Sequence, residues 1–200
     1  MPHGSDIAFT DAVKAVQEKY GVRDYNAQVI ANRAWGREVS GELAKFITQR
    51  DSFYLGTASA DGQPYIQHRG GARGFLKVID ATTLAFADYP GNKQFISAGN
   101  LSENERAFIF LIDYETRQRI KIWGRAAFVE DDPELMSAVQ EPGQAPAKTN
   151  RAVKFTVETW DVNCPQNIPQ RYSEETVAQV VSKLTQRVAD LEAQLSALSA

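Results

Sequence analysis

Residues 67–93 read QHRGGARGFLKVIDATTLAFADYPGNK. The stretch opens on a basic, glycine-rich turn made of His68, Arg69, Gly70, Gly71, Ala72, Arg73 and Gly74. An apolar run follows (Phe75, Leu76, Val78, Ile79), then a turn at residues 80–82 and a second apolar run at residues 83–87. Both runs are short, rich in β-formers and bounded by turn residues, so they predict the two strands of a hairpin. A second polar turn closes the stretch with Asp88, Tyr89, Pro90, Gly91, Asn92 and Lys93. Cationic, glycine-bearing turns at both ends bring Arg and Lys side chains together with open backbone N–H groups, which is what a phosphate requires. The spacing also suits a plainer reading: glycines serving a bulge or tight turn, and arginines as solvated surface charge. Taken alone, the stretch leaves both open.

Upstream, the pattern is helical. Ser5 and Asp6 suit the cap of a first helix carrying Ile7, Ala8, Ala12, Val13, Val16 and Tyr20 and ending at Gly21. A second helix is expected over residues 25–35 and a third over residues 40–50. In the third, Leu43, Phe46 and Ile47 recur at helical spacing, the mark of a face packed on a core. From Ser52 the pattern turns to β. Residues 53–58 predict a strand, residues 60–63 an Asp-Gly hairpin turn, and residues 64–67 the return strand.

Downstream, residues 94–100 predict a short helix, and residues 107–112 a nearly continuous apolar strand buried on both faces. Residues 119–129 (RIKIWGRAAFV) alternate, with Ile120 and Ile122 on one face and Arg119, Lys121 and Trp123 on the other. Gly124 breaks the run as at a bulge. Pro133 starts a helix over residues 134–140, residues 141–149 form a loop, and residues 151–161 the last strand. Six or seven strands in a meander, with helices at the margins, predict a mainly β fold: a small antiparallel split barrel.

The tail differs. Ser173 precedes Glu174 and Glu175, an N-cap followed by acidic residues on the positive end of the dipole. Val177, Val181, Leu184, Val188, Leu191, Leu195 and Leu198 then recur at alternating spacings of four and three, a coiled-coil seam. The rival reading is an amphipathic helix folded back on its own barrel. The expected divisions are residues 1–50 as N-terminal helices on the barrel, 51–172 as the barrel, and 173–200 as the C-terminal helix.

Composition narrows the function classes. Hydrophobic residues make up 43% and charged residues 24%, the profile of an ordinary globular protein. With 22 basic against 25 acidic residues the net charge is −3, so no global basic field draws nucleic acid. One cysteine excludes an intrachain disulfide framework and fits a reducing compartment. Two histidines and one cysteine, widely separated, argue against a zinc site. No apolar run reaches membrane-spanning length and no signal-peptide core opens the chain, so a cytoplasmic location is expected.

Five segments together, TASADGQPYIQHRGG, GFLKVID, LAFADYPGNKQ, RIKIWGRA and WDVNCPQNIPQR, resemble the pyridoxamine-5'-phosphate-oxidase-like, FMN-binding split-barrel flavoproteins over about residues 45–172. The resemblance implies a homodimer with FMN in a cleft at the subunit interface. It also implies that Arg69 or Arg73, beside the open N–H of Gly70, and the turn residues Asn92 and Lys93 hold the phosphate, with Ser97 and Asn100 as further donors. Arg119 stands where the family places a polar residue, usually glutamine, that reaches the flavin from the other subunit. A cation there suits an anionic reduced flavin. Trp160 and Arg171 match the separation of the family's flavin-contacting pair. Between them the true oxidases carry an arginine and a histidine that grip the vitamin substrate, and this chain carries neither.

His68 beside Arg69 reads either as a proton donor or as a hydrogen-bonded strand-end histidine. Cys164 precedes Pro165 with no basic neighbour in sequence to activate it. Trp123 and Trp160 suit either a flavin cleft or the core. The resemblance therefore implies an FMN-dependent oxidoreductase of unknown substrate. The alternatives are a non-catalytic flavin-binding or sensing module whose tail mates with a partner, or a split barrel holding deazaflavin or haem.

Overall fold

The structure, a computed structural model, describes residues 3–89, 91–140 and 151–199. The expected loop at 141–149 and Pro90 of the second polar turn lie outside the described residues. The chain forms two compact units, one of Met1–Ile112 with Arg119–Cys164, the other of Asp113–Gln118 with Pro165–Ala200.

The first unit is built on a seven-stranded sheet with the order β2-β1-β5-β6-β7-β4-β3. Its strands are β1 (Ser52–Ala58), β2 (Pro64–Gly70), β3 (Lys77–Val78), β4 (Thr83–Ala87), β5 (Arg106–Asp113), β6 (Gln118–Glu130) and β7 (Arg151–Asn163). The expected barrel is present, but not as a simple meander. Local hairpins join β1 to β2 and β3 to β4, while β1–β5, β4–β7 and β6–β7 pair across longer stretches of chain. Core packing shows that the sheet curls on itself. The Phe53 ring of β1 lies 5.1 Å from the Phe86 ring of β4, although three strands separate them in sheet order. Leu55, Ile109, Leu111, Ile122, Val153 and Phe155 fill the same core.

Several elements differ from their sequence readings for visible reasons. β2 runs on to Gly70, so His68, Arg69 and Gly70 are strand residues, not turn residues. The strand expected at Phe75 shrinks to β3, because Gly74 turns the chain at φ +77° and Phe75 and Leu76 enter the core. β5 alternates buried and half-buried residues instead of burying both faces. At Gly124 the β6–β7 register shifts, where a Cβ would collide with the Thr156 carbonyl and the Phe155 ring.

Among the described residues there are six α-helices: α1 (Asp11–Lys19), α2 (Arg23–Asn32), α3 (Gly41–Thr48), α4 (Ile96–Glu103), α5 (Pro133–Val139) and, in the second unit, α6 (Glu174–Leu198). The expected first helix is broken. Residues Gly4–Ile7 form a 3-10 turn, and α1 starts after Thr10, whose hydroxyl accepts from the Val13 N–H. Ser5 is buried and Asp6 accepts from the His3 N–H and from Lys14 Nζ at 3.0 Å, so neither caps α1. α3 is capped by Ser40 and buries Leu43, Phe46 and Ile47 as its spacing demands.

In the second unit, Ser173 caps α6 through the Thr176 N–H. The Glu115 carboxylate accepts from the Ser173 N–H and, at 3.0 Å, from the Thr176 hydroxyl. Bonds from Ser173, with the Thr176 hydroxyl adding to them, hold the Glu115 carboxyl below its ordinary value of 4.5. Among the described residues no helix is long and apolar enough to cross a membrane.

Candidate functional site

β2 positions the site by strand alternation. Tyr65, Gln67 and Arg69 face inward and are half-buried, whereas Ile66, His68 and Gly70 are exposed. The inward three line a cleft whose other walls include Asp88, Asn92, Lys93, Ser97, Phe128 and Arg151. The cleft lies at the split of the barrel, where edge strand β2 approaches the ends of β4 and β7.

One carboxylate organises this place. Arg69 Nη1 donates to Asp88 Oδ1 at 2.7 Å. Arg151 Nε donates to Asp88 Oδ2 at 2.9 Å, and Arg151 Nη2 donates to the same oxygen. Asp88 is only 6% exposed and Arg69 13%, so the charges are largely out of water and geometrically fixed. Aromatic faces flank both cations. Arg151 lies 4.5 Å from the Phe128 ring centre and Arg69 5.5 Å from that of Phe86. Two guanidiniums against one carboxylate leave one net positive charge, and Lys93 adds a second at the rim. Arg69 Nε is buried without a hydrogen-bond partner.

The turn before α4 contributes the other donors. Lys93 and Phe95 both have positive φ, at 61° and 54°. Phe95 occupies the N-cap and has no side chain able to cap, so the first turn of α4 carries no side-chain acceptor. Phe95, Ile96, Ser97 and Ala98 of this turn line the cleft, which therefore receives the positive end of the helix. Ser97 Oγ donates to Gln67 Oε1 at 2.9 Å, and Asn100 Nδ2 donates to Thr57 Oγ1 at 3.0 Å. These two bonds fasten α4 to β2 and β1.

The structure thus brings Arg69, Asn92, Lys93 and Ser97 to one cleft. Asn92 also shapes its turn, donating to Gln94 Oε1 at 3.0 Å. Gly70, Arg73, Asn100, Arg119, Trp160 and Arg171 are not among the cleft's lining residues. His68 lies on the opposite face of β2, its ring edge-on to Tyr54 at 5.6 Å. A Cβ at Gly70 would press on the His68 ring and the Asp51 carbonyl, so its smallness serves the strand end. Arg73 is exposed in the turn before β3.

The remaining candidates sit elsewhere. Arg119, Lys121 and Trp123 share a face of β6, with Arg119 Nε buried and unpartnered. Lys121 pairs with Asp161 at 3.3 Å and lies 5.2 Å from the ring centres of both Trp35 and Trp123. Those two indoles stack at 4.9 Å. Trp160 Nε1 donates to the Glu38 carbonyl at 2.8 Å, and its ring lies so close to Gly36 that a Cβ there would overlap it. Arg171, in the second unit, lies over the Tyr114 ring at 4.6 Å.

Sequence reasoning missed Asp88 as the organiser and Arg151 as the second cation. Asp88 reads as an ordinary turn residue. Arg151 lies 63 residues further on and reaches Asp88 through the β4–β7 pairing, which no local pattern announces.

Residues 39–164 match the family model described as pyridoxamine 5'-phosphate oxidase. No curated protein matches the chain. Among solved structures, HupZ of Group A Streptococcus is similar in fold, with a TM-score of 0.51 and 17% identity over 66% of this chain and 98% of that one. A putative pyridoxamine 5'-phosphate oxidase from Lactobacillus delbrueckii has a TM-score of 0.49 and 18% identity, over 63% of this chain and 95% of that one. HutZ, described as the heme storage protein of Vibrio cholerae, has a TM-score of 0.46 and 16% identity, over 62% and 93%.

Proposed function

The chain belongs to the pyridoxamine 5'-phosphate oxidase family, and from that premise we propose that it is an FMN-binding flavoprotein and an oxidoreductase whose substrate is not pyridoxamine phosphate. The observation that carries the flavin reading is the donor set of the β2–α4 cleft. Arg69 keeps a buried Nε without an acceptor, and the first turn of α4 has no side-chain cap. Lys93 is exposed at the rim. Together these offer more donors and positive charge than the acceptors around them use, and a phosphate monoester fits that surplus.

FMN, when bound, supplies hydride transfer at its N5. The chain's own residues bind and orient. Asp88 fixes the two guanidinium planes beside the cleft and competes with an incoming phosphate for their N–H donors. Lys93 contributes a mobile point charge, and the N–H groups of α4 contribute fixed dipoles. Arg119, in the place of the family's polar flavin contact, would set a cation beside the ring from the second subunit of a homodimer. The missing arginine and histidine between Trp160 and Arg171 support a different substrate. A cytoplasmic location accords with the single cysteine.

The visible spectrum of freshly purified protein, before and after adding FMN and desalting, tests the reading. A retained flavin spectrum that Lys93→Ala weakens supports it. A colourless protein that will not retain FMN, or one showing a Soret band instead, overturns it. Steady-state oxidation of NADH or NADPH with oxygen or an added acceptor tests the enzymatic half. Tight FMN with no turnover from any donor would instead mark a non-catalytic flavin module.

A further inference from the structure

We propose that α6 is one strand of a parallel, in-register, two-stranded coiled coil formed with a second copy of this chain. The helix runs 25 residues from its Ser173 cap, about 37 Å at the usual rise. Its apolar seam is uncovered within its unit, with Val177, Val181, Leu184, Val188, Leu191, Leu195 and Leu198 between 41% and 86% exposed. Seven apolar residues in one narrow stripe need a cover.

The identities along the stripe select the occupant. The spacing of four then three puts Val181, Val188 and Leu195 at the a positions and Val177, Leu184, Leu191 and Leu198 at the d positions. β-Branched residues dominate a and leucine dominates d, the combination that packs best in a parallel dimer and poorly in trimers and tetramers. Beside the a and d positions only Val180, at one g position, adds a large apolar side chain, whereas a helix folded on a globular core needs a wider apolar face along its length.

Charge completes the match. In this register Arg187 takes a g position and Glu192 the following e position. Five residues apart, they do not face each other on one helix. In a parallel, in-register pair, each Arg187 meets Glu192 of the other copy, twice by symmetry. The antiparallel arrangement pairs g with g and e with e, and so forfeits this pairing.

Disulfide trapping in the full chain tests the register. In a Cys164→Ser background, Val177→Cys and Leu191→Cys each place one thiol at a d position. Ser182→Cys places one on the outer face. Mild oxidation should give a covalent dimer at both d positions, at least tenfold faster than at Ser182. Arg187→Glu should slow trapping at Val177→Cys several-fold, and adding Glu192→Arg should restore it. Trapping at neither d position, or at the rate of the outer control, overturns the proposal. So does indifference to both charge changes. The proposal is independent of the flavin reading, since loss of FMN binding with unchanged trapping sinks that reading alone.

Discussion

Asp88 serves two arginines at once, and its replacement separates its structural from its ligand-related effect. Asp88→Asn leaves the Arg69 and Arg151 guanidiniums facing each other in a poorly solvated place. Discounted for partial exposure, the loss should be about 2 kcal/mol of stability, or roughly 4–8 °C in melting temperature for a domain of this size. The same change releases two guanidiniums toward the cleft, so FMN affinity should rise about tenfold, as for one new charge-assisted hydrogen bond. Thermal unfolding and flavin titration would then move in opposite directions. If both fall together, the arginines are structural and the phosphate lies elsewhere. A second residue-scale test concerns Gly36, which Trp160 covers while its Nε1 is held by the Glu38 carbonyl. Because the bonded indole cannot retreat, Gly36→Ala should cost about 1–3 kcal/mol, read in denaturant midpoint and in tryptophan emission. An unchanged midpoint would show that the N-terminal segment is not docked by this contact.

At the scale of elements, the start of α6 depends on an ionised carboxylate. Glu115 accepts from the Ser173 N–H and the Thr176 hydroxyl, which holds its carboxyl below the ordinary 4.5. A depressed carboxyl contributes stability that is fully present above 4.5 and is lost as pH falls through the folded value. Hydrogen-exchange protection in the first turn of α6, with rates corrected for intrinsic amide chemistry, should therefore fall on acidification below about pH 4.5, and Glu115→Gln should remove that dependence. Protection that is flat with pH in the parent chain would show that the carboxylate does not anchor the helix. Most elements were legible in the sequence because their causes are local. The alternation around Ile120 and Ile122, the break at Gly124, the Ser173 cap and the heptad spacing of α6 each occupy a few residues. What escaped was set at a distance. Whether Arg69 belongs to a turn or a strand depends on how far β2 pairs with β1, and only that extension puts Arg69 inward and His68 outward. The β1–β5 and β4–β7 pairings, which bring Arg151 to Asp88, likewise have no local signature.

For the whole molecule, the split in the barrel explains why a ligand there should act on global stability. β2 is one edge of the sheet, and β4 and β7 lie near the other. Arg69, Asp88 and Arg151 supply polar contacts that tie them together in the first unit. A phosphate bound among these residues adds links between strands that the backbone ladder leaves unjoined, so it binds the folded barrel and has no counterpart site in the unfolded chain. Linkage then fixes the size of the effect: at a free FMN concentration 100 times Kd, the folded state gains about 2.7 kcal/mol, equivalent to about 5–10 °C in melting temperature. Lys93→Ala, which removes an exposed charge without touching the core, should leave the ligand-free melting temperature within about 1 °C and reduce the FMN-induced rise. If the flavin also bridges two copies of the chain, the FMN-loaded melting temperature should climb with protein concentration while that of Lys93→Ala climbs less. A rise independent of protein concentration would confine the site to one chain, and no rise at saturating FMN would remove the cleft from consideration as its phosphate site.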